Sequence, residues 1–120
     1  MRPVAAIVCA ALAVALGGSA AAHAFLDHAD PKVGSTVSEA PSEVRLWFTQ
    51  GLELRFCTVT VVGPAGFGGG GPVEEMAGAS GAIAVPLRRP LPPGVYNVRW
   101  RVLSVDSHVT QGDFTFKVRP

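Results

Sequence analysis

This sequence predicts an all-β fold, a sandwich or barrel. Three observations carry the prediction. Apolar and polar residues alternate with period two in several separate runs, Pro and Gly punctuate the gaps between those runs, and no segment sustains helical periodicity. Successive side chains on a strand point to opposite faces, so period-two alternation is what a sheet with one buried face requires. Short strands separated by such turns pack into two layers or close into a barrel, as in immunoglobulin-like domains.

The elements follow in chain order. Ala24-Phe25-Leu26 is the first strand candidate. Val44, Leu46 and Phe48 then alternate with Glu43, Arg45 and Trp47, and Cys57, Val59 and Val61 alternate with Thr58 and Thr60. From Gly63 to Gly81 the chain is of low complexity, with four consecutive glycines at 68–71. Such a composition buries little apolar surface, so a loop between strands is expected there. A phosphate cradle is excluded, because no Lys-Ser/Thr pair and no helix start follow the glycines. The apolar run Ala82 to Leu87 is another strand candidate. Leu91-Pro92-Pro93-Gly94 is a turn that launches a long strand from Val95, in which Tyr96, Val98, Trp100 and Val102 form the inward set. Phe114, Phe116 and Val118 give the last strand the same pattern. There is no internal repeat and no sign of a second domain.

Residues 1–22 read as a secretory signal peptide. Arg2 supplies the positive charge, Val4 to Leu16 an unbroken apolar core, and Ala20-Ala21-Ala22 a small-x-small cleavage site. The apolar core is short for a membrane span. Cleavage there leaves one domain, residues 23–120, with His23 first. Ala22-His23-Ala24 also satisfies small-x-small and would leave Phe25 first; retention of the leader as an anchor is the other alternative. Ten basic residues face nine acidic ones, and Arg2 is the only charge in the leader, so the processed chain is balanced. That balance argues against nucleic acid as a partner, and no other apolar run is long enough for membrane insertion. Cys57 alone survives processing, so packing without an internal disulfide must hold the domain.

The chemistry turns on three residues. A histidine at the N-terminus, His23, offers an α-amine and Nδ1 together as a chelate, and the amine loses its proton near a pH of about 8. His108 adds a second imidazole and Asp106 a carboxylate, a nitrogen and oxygen set that suits Cu(II). Asp106 and His108 are spaced i, i+2, which on extended chain aims both to one side. Taken singly, His108 reads as a loop histidine and Asp106 as a turn cap; the combination is what points to a metal. Protons compete for all three nitrogens, so binding weakens as pH falls.

From His23 onward the chain resembles the CopC family of copper-binding proteins. The resemblance lies in His23-Ala24-Phe25-Leu26-Asp27-His28-Ala29-Asp30-Pro31 with Gly34, in Val44-Arg45-Leu46-Trp47-Phe48, and above all in Pro93 through His108 with Gly112, Phe114 and Phe116. That last block is similar to the family pattern Gly-x-Tyr-x-Val-x-Trp-Arg, Ser-x-Asp-x-His, Gly-x-x-x-Phe. The resemblance implies a Greek-key sandwich or barrel of roughly seven strands related to cupredoxins. It implies a Cu(II) site of His23, Asp106 and His108, and a periplasmic role in copper binding, delivery or resistance. It also implies a copper transporter of the inner membrane as a separate partner.

Some family members carry a methionine-rich loop for Cu(I), whereas here the glycine-rich stretch offers only Met76. A protein for Cu(II) alone is therefore expected. A glutamate near the metal in some members aligns with Gln50, a neutral residue restricted to hydrogen bonding outside the ligand set. His28 is an auxiliary ligand candidate on an exposed position, and Trp100 is expected in the core with its ring near the metal. Cys57 fits a small buried residue better than a thiolate ligand. Two other function classes remain: a copper-dependent oxidase or monooxygenase, which also uses an N-terminal histidine, and a metal-free immunoglobulin-like binding module. No hydrolase triad or paired-carboxylate pattern supports an enzyme.

Overall fold

The computed structural model describes residues 24–66, 68–71, 73–76 and 80–120. The leader at 1–22, the cleavage site before His23 and His23 itself lie outside the described residues. Among the described residues nine strands form: β1 (Leu26–Asp30), β2 (Thr36–Val37), β3 (Glu43–Phe48), β4 (Thr58–Val62), β5 (Gly68–Gly71), β6 (Glu74–Glu75), β7 (Ala82–Pro86), β8 (Gly94–Leu103) and β9 (Val109–Val118). They make a four-stranded sheet in the order β1-β3-β7-β6 and a five-stranded sheet in the order β2-β9-β8-β4-β5. The two sheets form the predicted sandwich, and two of the nine strands are only two residues long.

The alternation sorts side chains as expected. Val44, Leu46 and Phe48 of β3, Val59 and Val61 of β4, and Ile83 and Val85 of β7 are buried. So are Tyr96, Val98, Trp100 and Val102 of β8, and Phe114, Phe116 and Val118 of β9. Tyr96 stacks on Phe116 with ring centroids 5.4 Å apart, and Phe48 meets Trp100 edge-on at 5.1 Å. The Tyr96 hydroxyl donates to the Pro92 carbonyl at 2.5 Å, which ties the Pro-Pro-Gly turn to the strand it launches. Cys57 is buried at the start of β4; its thiol donates to the Glu53 carbonyl at 3.3 Å, and burial pushes its pKa up. It is an inert packing residue, as read from the sequence.

The glycine-rich stretch departs from the loop expectation. Gly68–Gly71 pairs antiparallel with β4, and Gly69 bridges to Leu87 beyond β7. The strand is wedged between backbones from both sheets. A Cβ on Gly68 would lie 1.9 Å from the Val61 carbonyl oxygen, and one on Gly69 2.6 Å from that of Pro86. Only glycine allows this approach, which composition alone does not reveal. The first strand also begins later than expected, at Leu26. The Thr49 hydroxyl, rather than a backbone carbonyl, accepts the Phe25 N–H at 2.9 Å.

Candidate metal centre

The site is built on the turn between β8 and β9. Inward positions on β8 fall on every second residue, and the series Tyr96, Val98, Trp100, Val102 places Ser104 next. Ser104 is fully buried and bridges to Leu52 on the neighbouring segment. Its N–H donates to the His108 carbonyl at 2.9 Å, and the Ser107 N–H donates to the Ser104 carbonyl at 2.9 Å. Ser107 takes the left-handed conformation, φ +70°. These are the marks of a three-residue hairpin loop in which a tight turn is followed by a left-handed residue. The Val105 N–H donates to the Gly51 carbonyl at 3.0 Å, which fastens the loop to the chain beyond β3.

Asp106 and His108 therefore share one side, but for a different reason from the one read in the sequence. They do not lie on extended chain. The reversal at Ser107 folds them together and brings His108 Nδ1 to 3.3 Å from Asp106 Oδ1. Ser104 completes the arrangement. Its hydroxyl accepts from the His108 N–H at 3.3 Å and donates its single proton to Asp106 Oδ1. The Ser104 hydroxyl bond, and then His108, hold the Asp106 carboxyl below the usual carboxylate range against the opposing effect of burial. Ser104 entered the sequence analysis only as the serine of the Ser-x-Asp-x-His pattern, with no role of its own. The signal was present, since a serine stands at an inward register position where its neighbours are apolar.

The pair remains open to solvent, with the His108 side chain 50% and the Asp106 side chain 33% exposed. A carboxylate oxygen and an imidazole nitrogen 3.3 Å apart can be bridged by one ion with bonds of about 2 Å. With Nδ1–H kept on Asp106, Nε2 would be the ligating nitrogen, the arrangement common around metal-bound histidines. Among the described residues no group of three or more His, Cys, Asp or Glu assembles, so a further donor has to come from elsewhere.

The first described residue is fixed beside this turn. Ala24 is fully buried, and its carbonyl accepts from the Thr110 hydroxyl at 2.7 Å, two residues beyond His108. Gln50 is half-buried between Thr49, whose N–H bonds the Phe25 carbonyl, and Gly51, whose carbonyl bonds Val105. It thus sits between the first described residues and the turn. Trp100 is in the core as expected, paired across the sheet with Gly112. His28 stands apart: it stacks on Trp47 at 4.3 Å with rings 10° from parallel, and its Nδ1 lies 2.7 Å from Asp27 Oδ2. It is exposed, as expected, and is not grouped with Asp106 and His108.

A two-sheet sandwich with a serine-braced Asp-x-His turn at one end defines the class. Residues 26–119 match the CopC domain model, and the chain belongs to the CopC family. It is 34% identical over 122 residues to copper resistance protein C of Escherichia coli, covering 95% of each chain. Among solved structures it is similar to CopC from Methylosinus trichosporium OB3b, with TM-score 0.72 and 28% identity over 82% of this chain and 95% of that one. It is also similar to PcoC from Escherichia coli, titled a methionine-rich copper resistance protein, with TM-score 0.64 and 31% identity over 82% of this chain and all of that one.

Proposed function

We propose that the chain is a periplasmic Cu(II)-binding protein that carries or buffers copper in homeostasis and resistance. The observation that carries this reading is the Asp106–His108 pair, braced by Ser104 and lying beside the fixed Ala24. In this reading His23 supplies its amine and imidazole once the leader has been removed. The Ala24 carbonyl is held by the Thr110 hydroxyl, two residues beyond His108, which supports this reading. His108 supplies the third nitrogen and Asp106 a carboxylate oxygen that offsets the ion's charge. Copper is cargo here, and the residues act by binding it.

Family membership and the names of the relatives support copper as the ion, and the nitrogen-rich donor set supports its divalent state. Met76 is the only methionine beyond the initiator, in contrast to the methionine-rich relative, so a thioether site for Cu(I) is not proposed. Export follows from the reading of residues 1–22. No helix among the described residues is long and apolar enough to cross a membrane; a separate inner-membrane copper transporter is the proposed recipient or donor of the ion.

His108→Ala is expected to weaken Cu(II) by more than the roughly 10–100-fold that loss of an outer-sphere partner costs. Competition titration against a chelator of known affinity measures this, and affinity equal to that of the parent protein would refute the site.

A further inference from the structure

The outer face of β4, β8 and β9 carries an open groove of about 410 Å³, away from the core. Strand register sets its lining. Thr58 and Thr60 of β4 stand opposite Arg101 and Arg99 of β8, and beyond those Gln111 and Asp113 of β9 stand opposite the same two arginines. Two exposed guanidiniums therefore lie side by side along the middle of the face. Arg99 Nε donates to Asn97 Oδ1 at 3.0 Å, and Asp113 accepts from Asn97 Nδ2 at 2.9 Å. Among the described residues neither arginine forms an ion pair with a carboxylate. Most of their forked N–H donors, which match carboxylates two at a time, are uncommitted.

Their spacing selects the ligand. Residues i and i+2 on a strand are about 6.6–6.8 Å apart and face one way. A second extended chain presents its own alternate side chains at the same interval. A lone small anion on so open a face would keep most of its water and gain little from one exposed ion pair. We propose that this groove docks an extended segment of a partner protein with acidic residues at alternate positions, its carboxylates on Arg99 and Arg101. The register beyond Arg101 runs through Val102↔Thr110 and Leu103↔Val109 into the Val105–His108 turn, so a docked partner lies alongside that turn. The groove rests on its own residues and does not depend on the metal reading.

The test is a titration of the isotope-labelled, processed protein with a synthetic peptide of alternating glutamate and threonine, followed by amide chemical shifts. Shifts confined to β4, β8 and β9 are expected, with affinity falling steeply as salt rises. The double variant R99Q/R101Q should bind at least about tenfold more weakly, and the single variant R101Q should be weakened by a smaller factor. Both variants should keep the parent amide spectrum and the parent Cu(II) affinity. No binding by the parent, equal binding by the variants, or equal binding of a lysine–threonine peptide would overturn the proposal. Displacement of the peptide by inorganic phosphate at matching concentration would also overturn it, by making the groove a small-anion site.

Discussion

Ser104 does three things with one hydroxyl and two backbone groups: it fills an inward core position, closes the hairpin through His108, and holds the Asp106 carboxylate. Ser104→Ala keeps the volume but removes the proton that Asp106 accepts. Asp106 should then titrate at higher pH, which carbon-detected NMR of its carboxyl would show. The sign of the pH effect follows from the lowered folded pKa. The contribution of Asp106 to stability is fully present above the unfolded carboxylate value of about 3.9 and is lost as pH falls through the lower folded value. The variant should lose that extra acid resistance, and Cu(II) affinity should drop roughly 10–100-fold, as for other supports of metal ligands. An unmoved Asp106 titration would show that the brace is not felt. Asp106 and His108 were singled out in the sequence by their i, i+2 spacing and their combination with His23, since neither residue alone points to a metal. Ser104 stood in the Ser-x-Asp-x-His pattern, but its bracing role was hidden, because its burial shows only when its register is counted from Tyr96.

At the scale of elements, the hairpin β8–β9 carries both the core and the candidate site, and at one point of its register the largest side chain faces a glycine. Trp100 lies opposite Gly112, where an added Cβ would be 2.6 Å from the indole Cζ2. Gly112→Ala should force the ring to move and destabilise the domain by about 1–3 kcal/mol, the usual cost of overpacking. Denaturant unfolding measures this, and Trp100 fluorescence should shift with it; an unchanged midpoint would mean that the ring has room. Strands with alternating side chains were visible in the sequence, since their pattern is set by one buried face. The glycine strand β5 was not, because its order comes from Val61, Pro86 and Leu87 closing around it rather than from its own side chains. The turn geometry at Ser107 was likewise hidden, since a left-handed serine has no sequence signature.

At the scale of the molecule, the sandwich brings the start of the domain and the last hairpin to one end. Thr110 holds Ala24, Thr49 holds Phe25, and Gly51 holds Val105, so three distant segments are pinned around the Asp106–His108 turn. In the proposed reading, processing before His23 supplies a free N-terminal amine as a further donor. The central claim is that His23, Asp106 and His108 hold one Cu(II). The most direct measurement combines intact mass with EPR on a Cu(II) titration of protein exported and processed by a bacterial host, beside a form with one extra residue before His23. The expected result is a mass beginning at His23 and one tightly held tetragonal Cu(II) with nitrogen couplings, weakened strongly by the extra residue. A mass beginning at Phe25 in protein that still binds copper tightly, or equal binding by the extended form, would contradict it.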